Sequence, residues 1–452
     1  MLGATDIFVK AGTKATALRL VGKDDLTGAL KVQAQSLGFE AAALSLMPVL
    51  GDGGAVKEFL VGVPGADADP FALGAISSKL PAGTYEFVAP LATPHLTALG
   101  FALELYRYDP FRDTKDKKVR LVLPKGVDEA RLIREVEATF TVRDLINAPA
   151  NLLGPDELEA AARDIAKVHK APLTVTSGQK LETGFPMIHA VGAASPRSPR
   201  LIDFRWGKPT HPKVTLVGKG VVFDTGGLDI KPSASMLLMK KDMGGAATVL
   251  GLASLIMGAK LPVRLRVLIP AVENAIAGDA FRPGDVFKTR KGLTVEIGNT
   301  DAEGRLILSD ALALADEESP DLLIDMATLT GAARVALGPD LPPFYTDDSD
   351  FAAALIKHGQ AENDPLWQLP LWRPYYSMIE TPIADLNNAG AGGFAGSITA
   401  ALFLRRFVEK AKTYVHFDIF GWAPNAKPGR PKGGEAQAMR AAFAAIAARF
   451  AK

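Results

Sequence analysis

The apolar positions of this chain follow two regimes. Up to about residue 120, strand-like runs at 17–21, 85–88 and 119–122 alternate with short, alanine-rich helical stretches, which predicts a compact α/β unit. Residues 125–145 then read as one amphipathic helix, with Leu132, Ile133, Val136 and Phe140 at helical spacing. Asn147-Ala-Pro-Ala-Asn-Leu-Leu-Gly-Pro breaks it, and Pro155 opens another helix. Beyond residue 170, continuous apolar runs at 214–217, 264–270, 322–327 and 414–419 alternate with helices at about 246–257, 306–316, 398–410 and 435–450. Strands that are apolar on both faces and separated by helices imply a largely parallel sheet covered on both sides. The fold class read from this pattern is α/β. A smaller N-terminal α/β domain spans 1–140 and a linker helix region 141–170. A larger α/β/α domain with a mixed, largely parallel central sheet spans 171–452.

Composition narrows the function more than the fold. The 452 residues exceed what one core supports, in line with two domains. A formal net charge of +1 gives no global field to recruit nucleic acid or an anionic membrane. There are no cysteines, which excludes disulfides, thiolate metal sites and cysteine nucleophiles. The first residues carry neither a basic nor an apolar leader pattern, and no apolar run reaches the length of a membrane span, so the expected location is cytoplasmic.

The chemistry gathers at the carboxyl ends of the expected strands, where open α/β sheets bind ligands. Asn299-Thr-Asp-Ala-Glu-Gly-Arg-Leu follows a strand-like run at 293–297 and leads into a helix from about Leu306. Read as an extended tip, it sends Asp301, Glu303 and Arg305 out on one face. Carboxylates that close repel unless a cation sits between them, and a metal ion is the economical one. Val217-Gly-Lys-Gly-Val-Val-Phe-Asp-Thr-Gly-Gly-Leu-Asp-Ile-Lys-Pro adds Lys219, Asp224 and Lys231. Met239-Lys-Lys-Asp-Met-Gly-Gly adds Asp242, which standing alone reads equally as a helix N-cap. Lys231 has a simple alternative in pairing with Asp229. The six histidines are scattered and none pairs at ligand spacing. A carboxylate-rich, thiolate-free set suits Mn²⁺, Mg²⁺, Co²⁺ or Zn²⁺.

These segments, together with Ala327-Thr-Leu-Thr-Gly-Ala and Pro428-Gly-Arg-Pro-Lys-Gly-Gly-Glu-Ala, resemble the leucyl (cytosol) aminopeptidase family of dinuclear metallopeptidases over most of the chain after about 140. The resemblance implies a catalytic metallopeptidase domain with two divalent ions, Mn²⁺ or Zn²⁺. Asp224 and Glu303 would bridge them, Lys219 and Asp242 would complete the tighter site, and Asp301 the more exchangeable one. Lys219 ligates only as a neutral amine, so the metals must depress its pKa. It further implies that Lys231 faces the scissile carbonyl, that Arg305 anchors a bicarbonate acting as general base, and that a bridging water is the nucleophile. Met239, Thr328 and Gly331 would line the pocket for the first side chain, with a Leu- or Met-like, broad preference. The implied substrates are peptides with a free N-terminus, and the implied assembly is a homohexamer. The departures from the family's wording, Thr225 and Leu228-Asp229, flank the ligands without replacing any.

Two other readings stand beside this one: a two-metal phosphoesterase using the same clamp, and a DNA-binding relative. The missing histidine ligands weigh against the first, and the near-zero net charge against the second. Gly390-Ala-Gly-Gly-Phe-Ala follows no strand and is not a dinucleotide loop. His416 and Asp418 alternate on a strand and could orient the site, with a satisfied core histidine the simpler reading, and Arg430-Pro-Lys reads as structure near the site.

Overall fold

The protein is described by a computed structural model covering residues 3–51, 53–65, 67–112 and 117–451. It divides into two compact units, Met1–Phe140 with Asn425–Lys432, and Thr141–Pro424 with Gly433–Lys452.

In the first unit, six strands lie in the order Phe8–Val9, Val119–Val122, Gly83–Phe87, Thr16–Val21, Val56–Gly62 and Leu46–Leu50, all parallel except the last pair. Leu18, Val61, Phe101, Leu121 and Val136 are among its core side chains. The long helix starts at Glu129 rather than 125, because Gly126 turns with φ +85° and Asp128 Oδ1 accepts the Arg131 N–H at 3.0 Å. Arg430 belongs to the first unit. Its guanidinium pairs with Asp69 at 3.0 Å and stands 4.9 Å over the Phe71 ring, inside the first unit.

The second unit carries a nine-stranded sheet. Its main path runs Trp367–Gln368, Pro343–Thr346, Tyr414–Asp418, Leu322–Ala327, Lys213–Gly218, Arg264–Asn274, Arg200–Trp206 and Leu173–Ser177. The four strands from Tyr414–Asp418 to Arg264–Asn274 are mutually parallel; antiparallel strands flank them, so the sheet is mixed and largely parallel as expected. The helices Gly244–Gly258 and Glu303–Asp316 are buried along most of their length.

The strand Arg264–Asn274 runs four residues past Pro270, where the sequence pattern ended it. At that point it changes partner, from Lys213–Gly218 to Gly220–Asp224. The missing proline N–H therefore falls between two ladders and interrupts neither. The extension matters because its last residue, Asn274, reaches the site. A separate three-stranded sheet of Val286–Lys288, Thr294–Glu296 and Leu386–Asn387 ties the glycine-rich loop to the Asn299 segment. Among the described residues no helix is long and apolar enough to cross a membrane.

Candidate metal centre

Lys219 links two strands, Lys213–Gly218 and Gly220–Asp224, and is almost fully buried. Its Nζ lies 2.7 Å from Asp242 Oδ2 and 2.8 Å from Glu303 Oε1, and donates to the Thr328 carbonyl at 3.0 Å. Gly304 makes room for it, since a Cβ there would stand 2.7 Å from Lys219 Cε. Lys231 Nζ lies 2.8 Å from Asp224 Oδ2 and touches Asp301 Oδ1. Asp224, Asp242 and Glu303 are all buried, and each offers an oxygen within 4.8 Å of the others'.

Three readings of the sequence change here. Asp301, Glu303 and Arg305 do not converge by strand alternation, because Glu303 is already the first residue of the helix. Glu303 faces Lys219, whereas Arg305 Nη1 donates to the Asn388 carbonyl. Asp242 is not an N-cap: its Oδ1 accepts from Thr328 Oγ1 at 2.8 Å and its other oxygen faces Lys219. Lys231 pairs with Asp224 and Asp301 rather than with Asp229.

Asp229 instead locks the two acidic loops together. Its Oδ2 accepts the Thr300 N–H at 2.8 Å, and its own N–H donates to Thr300 Oγ1 at 2.8 Å. Gly226, at φ +88°, permits this turn; a Cβ there would lie 2.6 Å from the Asp229 carbonyl. Asn274 Nδ2 and the Gly226 N–H both bind Asp224 Oδ1, leaving Oδ2 aimed at the centre. Asn388 supports the Asn299 segment in the same way, its Oδ1 accepting the Gly298 N–H at 2.8 Å. Sequence reasoning missed Asn274, Thr300 and Asn388; only the Asn-Thr beside Asp301 signalled one of them.

Burial disfavours every charge here, and the neighbours decide each outcome. Burial pulls Lys219 down, but Asp242, Glu303 and Asp224 outweigh it and raise its pKa. Lys231 is raised against burial by Asp224 and Glu303. Glu303 is held well above the usual carboxylate range by burial and by the charges of Asp224 and Asp242. Asp301 is pushed up to about 6 by burial and by Asp224. Burial likewise takes the Arg305 guanidinium down to about 10, against the pull of Asp418 and Glu303.

The chemistry of this donor set fits divalent cations. Asp242 Oδ2, Asp301 Oδ1 and Glu303 Oε1 are buried oxygens without a hydrogen bond. The lysines approach them at ion-pair distance but without hydrogen-bond alignment, so contact and direction disagree, and direction is what a hydrogen bond requires. Four carboxylates and an amine, with no thiolate or imidazole, form a hard to borderline donor set.

Residues 140–443 match the model of the cytosol aminopeptidase family's catalytic domain, and residues 20–124 match the M17 aminopeptidase N-terminal domain. The chain belongs to the cytosol aminopeptidase family. It is accordingly a metallo-exopeptidase, a hydrolase that removes N-terminal amino acids. A probable cytosol aminopeptidase from Syntrophotalea carbinolica is 42% identical over 75% of this chain and 72% of that protein. The crystal structure of a cytosol aminopeptidase from Coxiella burnetii superposes with a TM-score of 0.93 at 43% identity, covering 98% of this chain and 99% of the other. The bottromycin maturation enzyme BotP in complex with Mn has a TM-score of 0.87 at 30% identity, covering 96% and 99%. In this cytosol aminopeptidase the carboxylates of the octet and of the Gly-Lys-Gly segment thus share one buried centre, and Arg305 lies beside it. Arg305, Asp301, Thr330 and the loop from Ala389 to Gly396 also line a cavity of about 280 Å³.

Proposed function

We propose that the enzyme holds two divalent ions, Mn²⁺ or Zn²⁺, through Lys219, Asp224, Asp242, Asp301 and Glu303. The observation that carries this is the buried triad of Asp224, Asp242 and Glu303 with its oxygens within 4.8 Å. Such ions, when bound, polarise a carbonyl and lower the pKa of water. Lys219 must give up its proton to act as a donor, and displacement of that proton by metal makes binding pH-dependent.

Lys231 keeps its proton and serves the developing oxyanion. Its side chain is 13% exposed against 3% for Lys219, so it is the lysine a substrate carbonyl meets. Asp301, with its side chain 34% exposed, marks the open side of the centre where a free α-amine arrives. Arg305, beside the cavity, would hold bicarbonate as the general base, for which a planar guanidinium is the matching donor. Met239, half-buried, gives the pocket for the first side chain an apolar wall that accepts Leu- or Met-like stems.

The test is hydrolysis of leucine p-nitroanilide and its N-acetyl counterpart, after metal stripping and after adding Mn²⁺ or Zn²⁺. Metal-dependent cleavage of the free-amine substrate alone is expected. Cleavage of both, or of neither with two metals bound, overturns the reading.

A further inference from the structure

The three positions assigned to the first side chain are accompanied by two cations. Lys241 follows Met239 on the same short helical turn. Arg334 lies one turn into the helix that Gly331 opens, and a Cβ on Gly331 would stand 3.7 Å from Arg334 Nη2. Both cations meet on one ring, with Lys241 Nζ 5.1 Å and the Arg334 guanidinium carbon 4.4 Å from the centre of Phe420. Phe420 adjoins Thr328 through its neighbour: a Cβ on Gly421 would lie 3.3 Å from Thr328 Cγ2. Lys241, Arg334 and Phe420 are therefore linked, along the chain or by contact, to Met239, Gly331 and Thr328 respectively.

Among the described residues neither cation has a carboxylate oxygen at ion-pair distance, unlike the buried Lys219 and Arg143, and Arg334 has only the Thr330 carbonyl at 3.4 Å as an acceptor. Lys241 is only 2% exposed. The nearest acids cannot serve. Asp242 faces the metal centre, its Oδ1 accepting from Thr328 Oγ1 and its Oδ2 lying 2.7 Å from Lys219 Nζ. Asp418 accepts from the Leu329 and Thr330 N–H groups, Thr330 Oγ1 and Ser397 Oγ. A ring face is worth about 0.5–2 kcal/mol to a cation, whereas removing an ammonium from water costs several kcal/mol. Phe420 alone does not account for two such groups side by side, which also repel each other.

We propose that Lys241 and Arg334 form the far end of the pocket for the first side chain and select an N-terminal glutamate. Met239 contacts the methylenes and the two cations take the carboxylate, so the apolar preference applies to the stem and the charge preference to the tip. This rests on the aminopeptidase reading of the same centre.

The experiment compares kcat and KM of the Mn²⁺-loaded enzyme on α-L-glutamyl-, L-leucyl- and L-lysyl-p-nitroanilide. The glutamyl substrate should lead the leucyl one by at least about tenfold in kcat/KM. Arg334→Met and Lys241→Met should each lower the glutamyl-to-leucyl ratio by a similar factor, mainly through KM, and Arg334→Glu should shift preference towards the lysyl substrate. Arg334 is half-exposed, so its variants test the proposal even if Lys241→Met fails to fold. A wild-type preference for leucine over glutamate, or a ratio unmoved by both Arg334 variants, overturns the proposal and leaves the aminopeptidase reading intact. Cleavage of none of the three overturns both.

Discussion

Asn274 Nδ2 donates to Asp224 Oδ1 at 2.8 Å, and both side chains are buried. The bond fixes which oxygen of Asp224 faces the centre. Removing it frees that carboxylate to rotate, so Asn274→Ala should weaken Mn²⁺ binding by about 10- to 100-fold. Titration of the stripped protein with Mn²⁺, followed calorimetrically, measures this directly. An unchanged affinity would mean that the Gly226 N–H alone orients Asp224.

Glu303→Gln and Asp224→Asn should each abolish turnover and reduce bound metal, because each removes one buried negative charge from the centre. Elemental analysis beside the leucine p-nitroanilide assay separates the two effects. Near-normal activity with full metal content in either variant would exclude that residue from the proposed metal-binding set.

Lys231→Ala should leave metal content intact while lowering kcat by about 100- to 1,000-fold, the range for losing one donor to a developing oxyanion. Loss of metal instead would make Lys231 part of the ligand framework.

Gly304→Ala offers a test from sterics alone. Gly304 sits buried in the first turn of its helix, where alanine gains little over glycine, while overpacking a filled interior costs about 1–3 kcal/mol, so thermal stability should fall. The new methyl would meet Lys219 Cε at 2.7 Å and Leu329 Cδ1 at 2.9 Å, displacing the lysine. Metal affinity and Tm should therefore fall together, and an unchanged Mn²⁺ affinity would show that the lysine is not displaced.

Asp310 gives the pH dependence of stability. Burial raises its carboxyl to about 7, against hydrogen bonds from the Met187 and Arg290 N–H groups. A folded pKa above the unfolded value favours the fold while the group is protonated. That contribution is complete below about pH 4 and is lost as pH rises through about 7. Wild type should therefore lose stability relative to Asp310→Asn between pH 4 and 7, and the difference should be flat above 8. Parallel melts of the two proteins across that range decide it; a flat difference throughout would place the carboxyl in the ordinary range.

Much of this was legible along the chain. The central strands and their helices appear in the apolar pattern because each is apolar enough to be buried on both faces. The boundaries that moved did so for local reasons, such as the change of partner at Pro270 and the positive φ of Ala438, which delays the last helix to Met439. The acidic octet was visible, but its geometry was misread, because Glu303 starts a helix and an extended tip does not exist there.

The sequence by itself determined the family, the parallel α/β arrangement and the chemical types at the centre, since motif and periodicity are properties of neighbouring residues. Only the tertiary structure decided that Asn274 holds Asp224, fifty positions away, and that Lys241 and Arg334 share the ring of Phe420. The physical reason is range. Periodicity specifies which face of an element is buried, whereas side chains from different strands and helices meet only after the sheet fixes their register.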